Sequence, residues 1–214
     1  MAPRDLKTRL TRRAAKSGVF LPNDLSDRLV AYYELLAHWN RKINLTALDD
    51  PDEAIDRLLL EPILAARYLP SQKTQIMDIG SGGGSPAIPL KLTAPLSSLT
   101  MVEVKARKSA FLREAIRALD LTGTTVETSR YEELLTRPEL HEAFEVLTLR
   151  AVRVELRSLM TLQAFLRPGG LLFMFRGPGG GREPQSVPTL RWVATHPLVE
   201  TLQSRLTILQ KVAF

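Results

Sequence analysis

The sequence predicts an α/β protein, a doubly wound and mostly parallel Rossmann-like sheet with an N-terminal helical extension. Three observations carry this reading. Short apolar segments alternate with helical patterns after Pro70, a glycine-rich run closes the first of those segments, and the residues before Pro70 have helical periodicity. Such alternation marks βαβ units, because parallel neighbours can be joined only by a crossover long enough to return along the sheet.

In residues 23–41, Leu25, Leu29, Tyr32, Tyr33, Leu36 and Trp39 recur at intervals of three and four, which lines them along one helical face. Pro22 and Asn23 supply the start signal. Tyr32 and Trp39 fall on the apolar stripe and are read as core rather than as base-stacking residues. A second helical stretch, residues 51–69, opens with Asp52 and Glu53, where acids suit the positive end of the helix dipole. Residues 75–79, 99–103, 124–128, 145–149 and 171–176 read as strands. Residues 106–119, 131–141 and 155–166 supply crossovers, another helix starts near Pro86, and residues 205–212 read as a final antiparallel strand at the sheet edge. Glycines 177 and 179–181 read as a flexible loop. Residues 1–70 are expected to form the helical extension, and residues 71–214 one compact unit.

The length of 214 residues is enough for one well-buried core without metal or disulfide staples. With 44% hydrophobic and 24% charged residues, and no apolar run near the roughly 20 residues needed to span a bilayer, a soluble globular protein is expected. There is no cysteine and only three separated histidines, which excludes disulfides, thiolate metal sites and cysteine nucleophiles and leaves no imidazole cluster for a catalytic metal. The basic start (Arg4, Lys7, Arg9, Arg12, Arg13, Lys16) is not followed by an apolar stretch before Pro22, so it does not read as a secretory signal and a cytoplasmic location is expected. A net charge of +6 suits a polyanionic partner such as nucleic acid, although solvated helix faces account for such charge equally well.

The run Met77-Asp78-Ile79-Gly80-Ser81-Gly82-Gly83-Gly84 closes a strand and leads into a helix. Glycines there let the chain turn sharply and approach a ligand, and open α/β sheets bind ligands at the carboxyl ends of their strands. The spacing is Gly-x-Gly-x-Gly rather than the Gly-x-Gly-x-x-Gly of dinucleotide binders, which favours a nucleoside cofactor without a pyrophosphate. Glu103, about twenty residues on at the end of the next strand, can accept hydrogen bonds from both hydroxyls of a ribose. The bland alternatives are a tight turn and an exposed strand-end acid. Asp78 is read as a contact near the cofactor's amino-acid end, the alternative being a helix cap.

The run from Asp78 to Leu90 (DIGSGGGSPAIPL) resembles the glycine loop of the glucose-inhibited division protein B family, the bacterial small-subunit ribosomal RNA guanine-N7 methyltransferases. Further pieces agree in order: Trp39 to Thr46 (WNRKINLT), Glu103 with Lys105-Ala106-Arg107-Lys108 and Phe111-Leu112, Ser129-Arg130-Tyr131-Glu132-Glu133, and Leu149-Arg150-Ala151-Val152. The likeness spans roughly residues 25 to 180. Departures are Ser85 where the family usually has phenylalanine, Ala87 for glycine, Arg176 for lysine, and no histidine in the segment from Arg57 to Glu61.

The resemblance implies a class I S-adenosylmethionine-dependent methyltransferase that modifies guanine N7 in 16S ribosomal RNA, with ribosomal RNA or the small ribosomal subunit as partner and no metal or membrane. It assigns Gly80, Gly82, Gly84 and Glu103 to S-adenosyl-L-methionine, with the backbone of Tyr131 and Glu132 beside the adenine. Arg130 and Arg150 are its active-site arginines, Arg150 also as a cofactor contact. Their forks suit a cofactor carboxylate, an RNA phosphate or the acceptor edge of guanine; the alternative is a surface ion pair. Lys105, Arg107 and Lys108, with Arg113 nearby and Arg176, are candidates for RNA contact. Guanine N7 carries an in-plane lone pair, so neither a nucleophilic residue nor a strong base is required. Pyrimidine C5 methylation, which usually needs a cysteine, is disfavoured. Methyl transfer to another acceptor, a non-catalytic RNA-binding or assembly factor, and a dehydrogenase are the competing readings. Oligomeric state is left open, with a monomer as the working expectation.

Overall fold

A computed structural model describes residues 3–46, 50–150, 155–178 and 188–212. Helices α1 (Pro3–Lys16) and α2 (Asn23–Ile43) come first. One continuous helical segment follows, made of α3 (Pro51–Ile55), a π turn (Asp56–Leu60), α4 (Glu61–Ala65) and a 3-10 turn (Ala66–Tyr68). The strands are β1 (Gln75–Ile79), β2 (Ser98–Val102), β3 (Thr124–Glu127), β4 (Phe144–Arg150), β5 (Leu166–Arg176), β6 (Leu190–Pro197) and β7 (Arg205–Lys211). Between them lie α5 (Ala87–Thr93), α6 (Ala106–Ala118), α7 (Tyr131–Leu134) and α8 (Leu156–Leu162). They form one sheet of order β3-β2-β1-β4-β5-β7-β6, with β1 to β5 parallel and β7 antiparallel to both of its neighbours. This is the doubly wound Rossmann-like class read from the sequence.

The apolar stripe of α2 is buried as expected: Leu29, Tyr32 and Leu36 are fully inside, and Trp39 meets Phe111 edge-on at 5.9 Å. That stripe, with Leu6, Leu10 and Ala14 of α1, shares one core with Ile76, Leu99, Val146 and Phe173 on one sheet face. On the opposite face Met77, Leu147 and Leu172 pack with Leu159 and Leu162 of α8. The start of α2 is simpler than the sequence suggests, since Asn23 makes no side-chain cap and its carbonyl instead accepts the Ser26 hydroxyl at 2.8 Å. Asp50 caps α3, accepting from the amides of Asp52 and Glu53 at 2.7 and 2.9 Å.

Several boundaries differ from the sequence expectation. The strand at residues 205–211 is antiparallel, but it is not the edge, because β6 lies outside it. β6 escapes sequence reading because Arg191, His196 and Pro197 interrupt its pattern and most of it is exposed or half-buried. α1 is masked in the sequence by its charges, although Leu6, Leu10 and Ala14 repeat every four residues and are buried. The stretch 131–141 is two short turns rather than one helix, broken where Pro138 opens a 3-10 turn. α8 stops at Leu162, and β5 takes Leu166 onward, with a break in register against β4 between Phe144 and Val146.

Candidate active site

The glycine loop sits at the carboxyl end of β1. Its first amides are anchored on the adjacent strand: Gly80 and Ser81 donate to the carbonyl of Val102 at 2.9 and 3.0 Å. Gly80, Gly82 and Gly84 have φ of +74°, +51° and +85°, a left-handed backbone that side chains disfavour. Their surroundings separate their roles. A methyl on Gly84 would lie 2.5 Å from Ile88 Cδ1, so this glycine is turned into the core and shapes the loop. At Gly82 the nearest atoms are Gly80 O at 3.7 Å and Lys108 Nζ at 4.0 Å, so a methyl there would make only ordinary van der Waals contacts.

Glu103, directly after β2 and 8% exposed, braces the loop. Its Oε2 accepts the Gly82 amide at 2.9 Å and its Oε1 the Lys105 amide at 2.8 Å. Each carboxylate oxygen can accept more than one hydrogen bond, so this bracing leaves acceptor capacity for two hydroxyls.

A cleft of about 540 Å³ opens beside the loop, with Gly80, Gly82, Arg150 and Phe175 among its walls. Arg150, the last residue of β4, lies over the Phe175 ring at 4.7 Å. Its Nη1 donates to the Arg57 carbonyl at 2.5 Å and pairs with Glu61 Oε2 at 2.9 Å, while its buried Nε and Nη2 have no partner among the described residues. Burial lowers the Arg150 pKa, against the pull of Glu61 and Asp78. Burial raises that of Glu61, opposed by Arg150 and the Ser204 hydroxyl. Unpaired, desolvated fork donors beside a cleft fit an incoming carboxylate or phosphate, which recovers their hydration energy.

Asp78 lies behind this wall rather than in it. It is 1% exposed, its Oδ1 accepts the Thr148 hydroxyl, and its Oδ2 has no partner among the described residues. Burial raises its pKa, with the Ser81 and Thr148 hydroxyls and the Arg150 charge acting the other way.

The remaining sequence candidates divide in two. Lys108 and Arg176 line the cleft. Lys105 and Arg107 are exposed at the start of α6, outside it, and exposed Arg130 precedes α7, whose first residues are half-buried Tyr131 and exposed Glu132. That second group follows the carboxyl ends of β2 and β3, the other flank of Glu103. Ala151, Val152 and glycines 179–181 lie outside the described residues.

Sequence reading missed the N-terminal wall. Leu45 and Thr46 reach the cleft because Asn40 Oδ1 accepts both of their amides, at 2.6 and 2.9 Å. Tyr32 is core as expected, yet its hydroxyl also donates to the Gly83 carbonyl at 2.6 Å, propping the loop from below. Glu61 had one visible signal, an acid within an apolar run on a buried helix; Ser204 had none. Two family departures meet here, for Ser85 donates to the Leu58 carbonyl at 2.8 Å.

The sequence profile described as rRNA small subunit methyltransferase G matches residues 25–188. Ribosomal RNA small subunit methyltransferase G of Xanthomonas axonopodis pv. citri is 37% identical over 172 residues, covering 79% of this chain and 78% of that protein. The protein of the same name from Acetivibrio thermocellus is 30% identical over 179 residues, covering 83% and 74%. Among solved structures, a SAM-dependent methyltransferase from Aquifex aeolicus superposes with a TM-score of 0.58 at 15% identity, covering 78% of this chain and 95% of that one. The [4+2]-cyclase SpnF gives 0.61 at 14% identity, covering 89% and 95%. These structural likenesses establish the fold alone, since a cyclase shares it.

Proposed function

Because the chain belongs to the rRNA small subunit methyltransferase G family, we propose that it transfers a methyl group from S-adenosylmethionine to guanine N7 of small-subunit ribosomal RNA. One observation supports this most: a ribose-type acceptor, Glu103, braces the loop that shares the cleft wall with Arg150, whose buried Nε and Nη2 have no partner among the described residues. Such a pair suits a nucleoside that carries a carboxylate at its far end.

When bound, the cofactor supplies an electrophilic sulfonium methyl. Glu103 takes the ribose hydroxyls, and the backbone at Gly80 and Gly82 lets the ligand approach the end of β1. Arg150 offers its Nε–Nη2 edge to the amino-acid carboxylate, with Asp78 fixing the charge balance from behind. Tyr131 and Glu132 flank the adenine end, and Arg130 is the second arginine on that side. Lys105, Arg107, Lys108 and Arg176 meet RNA phosphates around the entrance. Guanine N7 attacks with its own lone pair, so no residue needs to remove a proton. The chain's contribution is to hold the acceptor in line and exclude water, a positioning effect of large potential magnitude. Among the described residues no helix is long and apolar enough to cross a membrane. We place the reaction in the cytoplasm, where ribosomal RNA is accessible.

The test is calorimetry with S-adenosylmethionine, followed by transfer of labelled methyl to small-subunit RNA and to small-subunit particles. Label at guanine N7 is the expected result. Cofactor binding with no label in either substrate would overturn the acceptor assignment.

A further inference from the structure

We propose that the π turn Asp56–Leu60 is the positioning device of this site, with Asp56, Pro62 and Thr201 as positioning residues that make the Arg57 carbonyl aim the Arg150 guanidinium. The inference rests on the reading of Arg150 as a cofactor-binding residue.

In an α-helix each carbonyl accepts from the amide four residues on. At this turn the register slips by one, so the Glu61 amide donates to the Asp56 carbonyl rather than to that of Arg57. In the slipped register the Arg57 carbonyl would need the amide of residue 62, which is proline and has none. It is therefore released from the helix, and Arg150 Nη1 donates to it at 2.5 Å. Leu58, whose α-helical donor would also be residue 62, gives its carbonyl to Ser85 at 2.8 Å. Two consecutive carbonyls thus tie this helical segment to Arg150 and to the end of the glycine loop.

The slip begins at Asp56, which is 1% exposed. Its Oδ1 accepts from Arg13 Nε at 2.5 Å, and its Oδ2 accepts from Arg13 Nη2 and, at 2.8 Å, from the Thr201 hydroxyl. A buried ion pair adds little net stability after desolvation, so its clearest effect is to fix geometry. Thr201 belongs to the 3-10 turn Glu200–Leu202, and Leu202 and Ser204 line the cleft. One carboxylate therefore locks α1, the π turn and the cleft floor together. Glu61, whose amide makes the slipped bond, is also the ion-pair partner of Arg150. Relaxation to α register would turn the backbone after the slip by about 100° and misplace both groups that hold Nη1. Single π turns inside α-helices recur at functional sites.

The experiment compares Pro62→Ala, Thr201→Val and Arg150→Ala in the full chain, measuring S-adenosylmethionine affinity by calorimetry and Tm by thermal melting. Pro62→Ala restores a helical donor, so it should fold with little change in Tm yet weaken cofactor binding about tenfold, as expected for misdirecting a charged hydrogen-bond donor. Thr201→Val should shift affinity in the same direction by less. Neither change should weaken binding further in an Arg150→Ala background. Parental affinity in Pro62→Ala and Thr201→Val, with Arg150→Ala impaired, overturns the positioning role alone, as do losses that add fully to that of Arg150→Ala. Parental affinity in Arg150→Ala overturns the reading of Arg150 and this inference with it.

Discussion

The Gly82 amide donates to Glu103 Oε2 at 2.9 Å, so the glycine loop and the acid at the end of the next strand form one unit. Removing the carboxylate leaves the Gly82 and Lys105 amides without their acceptor and takes away the acceptor proposed for the ribose hydroxyls. Glu103→Ala should weaken S-adenosylmethionine binding by about 100-fold, the scale of losing two hydrogen bonds to a charged group. Calorimetry checks it, and an affinity within threefold of the parent would remove Glu103 from the cofactor site.

Gly82 and Gly84 should respond oppositely to substitution. Gly84→Ala forces a methyl to 2.5 Å from Ile88 Cδ1 at a positive φ, and should cost about 3 kcal/mol of stability while the folded fraction still binds cofactor. At Gly82 a Cβ makes only ordinary contacts, so Gly82→Leu should cost about 1 kcal/mol through its positive φ, but the residue lines the cleft and the added side chain should abolish binding. Melting curves alongside calorimetry separate the two patterns.

Burial favours the protonated form of Asp78 in the folded chain, so its pKa is raised above its unfolded value. Between the two pKa values the folded state binds more protons than the unfolded one, and this contribution to stability is lost as pH rises through that window. Asp78→Asn is neutral at every pH. Its Tm should therefore fall less steeply than the parent's on going upward from the ordinary carboxylate range. Parallel Tm profiles for the two proteins would contradict a buried, charge-disfavoured Asp78.

The exposed cations at the start of α6 should act on RNA through charge alone. Lys105→Gln and Arg107→Gln should each reduce the slope of log affinity against log salt by about 0.7 for single-stranded RNA. Cofactor affinity should stay near the parental value, because both side chains are exposed at the start of α6 and the Lys105 contact to Glu103 is made by its backbone amide. An unchanged salt slope in both variants would place the RNA path elsewhere.

Legible from sequence were the strand–helix alternation, the parallel running of β1 to β5, the glycine turn and Glu103 as a candidate beside it. Each of these is local or periodic: apolar spacing states which face is buried, and a glycine run at a strand end states where the backbone must turn. The sequence also separated Tyr32 and Trp39 as core residues, because helical spacing reports burial directly. It could not place β6, whose half-exposed edge position leaves no clean alternation. Nor could it divide Gly84, packed on Ile88, from Gly82, lining the cleft, since both are glycines in one run. Arg150 was legible as a candidate, but its partners were decided only by tertiary structure. The Arg57 carbonyl lies 93 residues away in sequence, and what makes it available is a one-residue slip in a helix that Asp56, Arg13 and Thr201 hold from three different parts of the chain. Sequence patterns encode which side chains leave water, whereas the aim of one buried guanidinium depends on which distant carbonyl the packed backbone leaves without a donor.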